Sequence, residues 1–233
     1  MVRRAEQKGM VVNASKTALM CVSDASSYAA DTYIEDRDGN RVETVDKMKI
    51  LGFTLSNRPG MHLHVETIKK RMRERYWVLR HLRRLGFSQS ELVRVYTTVI
   101  RPVAEYCAVV YHSSLTDEQD EALDRLQNHA LKCIYGTKMK AAEMRGLAGL
   151  ETLRKRREDL SDSFFKKCLK SDRFADWLPK KPPTRTRAGQ GEVFVEEKAR
   201  CDRLFNSPVF YARRRLNGKI GKKYGLRNAE YRN

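Results

Sequence analysis

Acidic residues are in short supply in this sequence: 29 Asp and Glu stand against 47 Lys and Arg. No run of about 18 consecutive apolar residues occurs, which excludes a transmembrane helix. Met1 to Lys8 contain no apolar stretch of signal-peptide type, so the expectation is a protein of the nucleus or cytoplasm, neither secreted nor transmembrane. Cysteine is sparse and scattered, at Cys21, Cys107, Cys133, Cys168 and Cys201. An odd count, wide spacing and the lack of any CxxC argue against a disulfide framework and a zinc knuckle. Buried free thiols are the expectation instead. Ser-His-Asp and Cys-His arrangements and a glycine-rich phosphate loop are lacking as well. Asp36, Asp38 and Asn40 begin like an EF-hand loop, but Gly39 falls at position 4, where such a loop needs glycine at position 6. His62 and His64 form an H-x-H with no cysteine nearby, and His81, His112 and His129 are scattered, so no metal site is expected.

What is abundant is positive charge on a chain able to fold. Apolar residues make up 41% of 233, enough for a real core. The formal net charge is +18. An excess of that size repels itself in the folded state unless a polyanion neutralises it. Nucleic acid is the first partner this implies, ahead of an anionic membrane surface.

Three regions differ in character: 1–60, 61–172 and 173–233. The first reads as strands. Val11 and Val12 precede the apolar run Ala18 to Val22. Thr32-Tyr33-Ile34 and Val42 to Val45 flank Asp38-Gly39-Asn40, a centre able to supply the positive φ of a tight hairpin. Met48 to Leu55 reads as one further strand, ending at Asn57-Arg58-Pro59-Gly60. The second region reads as helices. The first runs from His62 to Leu85, with a stripe of Val65, Ile68, Met72, Leu79 and Leu82. Ser88 to Glu91 has the form of a capping box. Behind it Leu92, Tyr96, Val99, Val103, Tyr106 and Val110 are spaced 4-3-4-3-4, with a kink expected at Pro102. Thr116 to Gln119 opens a third helix that buries Leu123, Leu126, Ala130 and Ile134 and stops at Gly136. A fourth runs from Thr152 to Lys170, with Leu153, Leu160, Phe164 and Cys168 on one side. Pro179 to Gly191 has linker composition, and Asn206 to Asn233 reads as a mobile basic tail. The fold class expected is therefore α+β: a small antiparallel sheet, a mainly α-helical bundle, and a basic, partly disordered C-terminal tail.

The order of several segments carries a resemblance. Gly9 to Met20, written G-M-V-V-N-A-S-K-T-A-L-M, resembles the G-x-x-x-N-x-x-K-T segment of non-LTR (LINE-type) retrotransposon reverse transcriptases. Met48 to Phe53 is similar to that family's K-x-L-G strand. His64-Val65 followed by a basic helix resembles the start of its thumb. Tyr96 to Tyr106 matches Y-x-x-x-I-x-P-x-x-E-Y, and Leu126 to Leu131 matches L-Q-N-x-A-L. The resemblance covers about residues 9–136 and thins after about 150. It implies the end of the palm followed by a thumb. It also implies what the family would supply upstream: an aromatic-x-Asp-Asp turn whose carboxylates hold Mg2+ for polymerisation. This sequence contains no such turn, so no catalytic residue and no cofactor is assigned to it, and Mg2+ is expected only for an intact parent polymerase.

The resemblance places Lys16 near an incoming nucleotide, against the plain alternative of a surface lysine beside a turn. It gives Leu51, Gly52 and Phe53 a primer-grip role, against a glycine bulge in a hairpin. The residues themselves point elsewhere. Lys69, Arg73, Arg80 and Arg84 are spaced 4-7-4 on one helix face and suit phosphates, which carry no sequence information. A solvated basic face is the alternative. Tyr76 and Trp77 suit base stacking or the core. Arg213, Arg214 and Arg215, with Lys219, Lys222 and Lys223, suit a phosphate-binding arm, an import signal or a tail that merely solvates.

The expected function is that of a reverse-transcriptase fragment that binds the backbone of RNA, DNA or their hybrid. A second reading is the C-terminal portion of an active RNA-directed DNA polymerase. A third is a helical interaction protein whose seam is the stripe of residues 92–110.

Overall fold

A computed structural model describes residues 7–9, 13, 16–21, 34–35, 39, 41–58, 60–136, 138–180, 194–195, 199 and 202–217. The fold is α+β, with short strand pairs followed by a helical bundle. The chain divides into two compact units, 1–64 and 65–233.

In the first unit, β1 (Ala18–Leu19) pairs in parallel with β2 (Glu43–Thr44), not antiparallel as expected. β3 (Lys47–Ile50) and β4 (Phe53–Ser56) form an antiparallel hairpin. The sequence predicts a single strand through 48–55. The chain instead reverses at Leu51-Gly52, where φ is 47° and 84°. Two successive left-handed residues make a two-residue turn of the primed type, whose twist matches that of the flanking strands. The hairpin around Gly39 shows at its stem, where Glu35 bridges Arg41 and the Val42 N–H donates to the Ile34 carbonyl at 2.8 Å. Val11, Val12, Val22, Thr32, Tyr33, Asp38 and Asn40 lie outside the described residues.

The second unit is helical. α1 (His62–Arg84) buries Val65, Ile68, Met72, Tyr76 and Leu79, one residue every three or four. It ends at Gly86, whose φ of 87° lets the Phe87 N–H return to the Leu82 carbonyl at 3.2 Å. The capping box of Ser88 and Glu91 starts α2 (Gln89–Val95). Beyond it the expected stripe breaks. Leu92 and Tyr96 are buried, but then Ile100 and Ala104 are, while Val99, Tyr106 and Val110 are exposed. Pro102 has no N–H to continue the α ladder. Tyr96–Ile100 form a π turn in which the Arg101 N–H reaches back to Tyr96. Such a turn holds an extra residue, which moves the inward position from 99 to 100. α3 (Arg101–Glu105) follows, and Cys107, at φ 56°, redirects the chain into α4 (Ala108–Tyr111).

α5 (Asp117–Tyr135) is capped by Thr116 and Gln119, buries Leu123, Leu126, Ala130 and Ile134, and stops at Gly136. α6 (Ala141–Ala148) was not read from the sequence; Gly146 sits within it and Gly149, at φ 63°, caps it. α7 (Leu153–Cys168) takes Thr152 as its N-cap. Its buried side is Leu153, Arg157, Ser161, Phe165 and Cys168, whereas Phe164 is exposed and Leu160 half-buried. The face is rotated from the expected one because Arg157 turns inward to meet Asp120 on α5, Nη2 to Oδ1 at 2.7 Å, with both side chains shut off from solvent.

The basic tail is also corrected for the residues described. α8 (Asp202–Phe205) and α9 (Pro208–Leu216) are ordered helices. Ala212 and Leu216 of α9 join a small core with Phe165, Cys168, Leu178 and Phe194. Lys219, Lys222 and Lys223 lie outside the described residues.

Candidate nucleic-acid interface

The four cations singled out on α1 share a wall. Lys69, Arg73 and Arg80 line a groove of about 540 Å³ whose other side is α5, through Ala122, Arg125, Leu126 and His129. Arg80 and His129 continue into a second space of about 580 Å³, lined also by Arg83, Arg84, Lys132 and Cys133. Both spaces thus lie between α1 and α5 and share Arg80 and His129 in their walls. Among the described residues, seven cations border them (Lys69, Arg73, Arg80, Arg83, Arg84, Arg125 and Lys132) and no carboxylate does. From Lys69 to Arg84 the α1 wall rises about 22 Å at about 1.5 Å per residue.

The packing holds this wall in place. The Tyr76 hydroxyl donates to the Leu126 carbonyl at 2.9 Å, across the floor of the groove. Burial pushes its phenol pKa upward, so it stays a neutral donor. The His129 ring lies tilted against Tyr76, with centroids 4.9 Å apart. Arg83 Nη1 donates to the Cys133 carbonyl at 3.0 Å and clamps the far end. On the other side of α1, Arg75 Nη1 donates to the Val99 carbonyl at 2.5 Å and ties the helix to the π turn. Burial raises the Cys133 thiol pKa more than the nearby Arg80 and Arg83 lower it, so the groove holds a thiol and not a nucleophilic thiolate.

Two acids touch the margin without entering. Glu66 pairs with Lys69 at 2.5 Å, and Glu121 pairs with the exposed Arg125 at 3.3 Å. Such pairs are weak in water, and a phosphate can replace either carboxylate. The α5 wall was missed in the sequence. Arg125, His129 and Lys132 are spaced 4-3, the same spacing as a helix face, but none has a basic neighbour within two positions, so they form no local run.

The other expected site residues lie elsewhere. Arg213 is buried and donates from Nε to the Trp177 carbonyl at 2.9 Å. Arg214 lies over the Phe205 ring, 3.7 Å from its centroid, and Nη1 donates to the Phe205 carbonyl at 2.7 Å. Arg215 grips Asp162 through both Nε and Nη2, the latter at 2.8 Å. All three guanidinium groups are engaged within the fold, which corrects their reading as a free phosphate-binding arm. In the first unit, Leu51 is 86% exposed at the hairpin tip and Phe53 is buried against His64, rings 4.2 Å apart. Lys16 is exposed, its N–H bonded to the Asn13 carbonyl at 3.2 Å, which fits the surface lysine beside a turn. Tyr76 is core and Trp77 is exposed.

Two of the segments that carried the resemblance, 96–106 and 126–131, are tied into the second unit by hydrogen bonds. The Tyr96 hydroxyl donates to Gln127 Oε1 at 2.9 Å, and Gln127 Nε2 donates to the Glu151 carbonyl at 2.7 Å. Asn128 accepts from Arg145 at 2.8 Å. Glu105 accepts from Arg156 at 2.9 Å and pairs with Arg101 at 2.7 Å. These residues do structural work. Among the described residues, no three His, Cys, Asp or Glu side chains gather as a metal site. No polymerisation step is assigned to these residues. No helix among the described residues is long and apolar enough to cross a membrane. No protein-family model, no curated protein and no solved structure matches the chain.

Proposed function

We propose that this chain is the end-of-palm and thumb part of a non-LTR retrotransposon reverse transcriptase, and that it holds RNA, DNA or their hybrid through phosphates without reading sequence. The observation that carries the binding half of this reading is the groove between α1 and α5, with seven cations on two walls and no carboxylate among the described residues. Like charges fixed that close raise the energy of the empty groove, and a phosphate backbone relieves it. Among the described residues, no Asn, Gln, Asp or Glu lines the groove to read a base edge. Tyr76 is buried, so the floor presents no free aromatic face to a base. What remains is positional contact with the backbone. The family half of the reading rests on the ordered segments of residues 9–136. Such a role puts the protein with its nucleic acid in the nucleus or cytoplasm.

The test is fluorescence anisotropy with mixed-sequence RNA–DNA hybrid duplexes. Changing Lys69, Arg73, Arg80 and Arg84 together to Ala is expected to abolish most binding, and duplexes of unrelated sequence are expected to bind alike. Changing Arg214 and Arg215 to Ala is expected to leave binding intact. A groove variant that binds as well as the unchanged protein would sink the proposal.

A further inference from the structure

Away from the groove, the second unit carries a row of aromatic rings at its surface. Phe164 on α7 lies 6.4 Å from Phe174, centroid to centroid, and Phe174 lies 5.0 Å from Trp177. Phe164 is 37% exposed and Trp177 44%. The row is held from beneath. Phe174 packs against the small core that includes Phe165, Leu178 and Ala212, and the Trp177 carbonyl accepts a hydrogen bond from Arg213 at 2.9 Å. Phe174 is thus anchored in the core, and the rings of Phe164 and Trp177 beside it present open surface. The charge around them says what suits that surface. Lys166, Lys167, Lys170, Arg173 and Lys180 are all exposed within this stretch, against Asp172 and Asp176. Lys167 stands three residues after Phe164 on the helix and shares its face. An apolar protein surface would have to strip water from those cations. A polyanion that carries flat apolar rings needs no such step.

We propose that Phe164, Phe174 and Trp177 form a stacking platform for the bases of a single-stranded nucleic acid, with Lys167, Lys170 and Arg173 meeting its phosphates. Every base offers a π face, so the platform tolerates any sequence. A duplex keeps its bases stacked inside, so the platform separates single strand from duplex, which the phosphate groove does not.

Trp77→Phe leaves Trp177 as the one tryptophan of the chain. Because Trp77 stands between Arg73 and Arg80 on the same face of α1, the duplex affinity of this variant is first compared with that of the unchanged protein, and later comparisons are made against the variant. That protein is titrated with an oligothymidylate and, separately, with a hairpin duplex. The expected result is quenching of Trp177 emission by the single strand alone, while anisotropy reports duplex binding in the groove. Trp177→Ala is expected to weaken single-strand affinity about five- to a hundredfold, the loss of one base–aromatic stack, with duplex affinity unchanged. Trp177→Phe is expected to keep most of it. Bound oligothymidylate that leaves Trp177 emission unchanged overturns the platform, as does an equal loss of single-strand and duplex affinity in Trp177→Ala. Quenching by the single strand with no duplex binding would uphold the platform and remove the groove.

Discussion

Leu51 has the least comfortable backbone described in the first unit. A leucine at φ 47° sets its Cβ against the following carbonyl, at a cost of about 1–2 kcal/mol. Asparagine is the residue that primed hairpin turns favour at this place. Leu51→Asn is therefore expected to stabilise the β3–β4 hairpin by about 1 kcal/mol, read as slower amide hydrogen exchange at its paired N–H groups. Faster exchange would contradict the turn assignment. Arg157 makes the opposite case in the second unit. Its side chain is fully buried with Asp120, and its Nε and Nη1 have no hydrogen-bond partner. Replacing it by Met removes the close partner of the buried Asp120 carboxylate, which keeps Arg154 Nε at 3.7 Å, and breaking a buried pair of this kind typically costs about 3–5 kcal/mol. Urea unfolding of Arg157→Met should show a loss of that order; a loss below about 1 kcal/mol would mean that the pair is not buried as described. Neither residue was legible in the sequence. Arg157 reads as one of a run of surface cations, because its partner stands 37 positions earlier on another helix.

At the scale of elements, local chemistry was readable and the outcome of packing was not. Both capping boxes start helices where the sequence puts them, since the signal is complete within four residues. Thr116→Ala should cost about 1 kcal/mol of stability in thermal unfolding, as loss of an N-cap side chain usually does. No change in Tm would argue that the cap is idle. The kink at Pro102 was equally plain, but not its consequence. Whether the chain resumes with Val99 or Ile100 inward depends on how the π turn relaxes against its neighbours. A pattern of spacings assumes one uninterrupted helix and cannot decide that. The α9 segment failed for a related reason: three consecutive arginines look like a solvated tail until a carboxylate, two carbonyls and an aromatic ring are brought to them by other elements.

At the scale of the molecule, two properties follow. The first is alkaline lability. Burial raises the phenol pKa of Tyr76, Tyr96 and Tyr111, and that of Tyr211 is pushed up to about 12. The unfolded chain releases these protons near pH 10, and the folded chain holds them. Above pH 10 the unfolded state thus binds fewer protons, and stability falls as pH rises toward about 12. Thermal unfolding across that range should show Tm dropping steeply, and a flat profile would show that the phenols are not buried neutral. The second property is the groove. One wall of it, on α1, could be read from the 4-7-4 spacing; the other could not, because only tertiary packing sets α5 across from it.

That second wall provides the sharpest test. Arg125 and Lys132 are changed together to Ala, and the affinity for a mixed-sequence B-form DNA duplex is measured over a series of salt concentrations. If both walls meet phosphates, the slope of log affinity against log salt becomes shallower by about 0.9 for each contact removed on a B-form duplex, so by somewhat under two here. An unchanged slope, with binding still lost on changing Lys69, Arg73, Arg80 and Arg84, would contradict a groove and leave only a basic helix face.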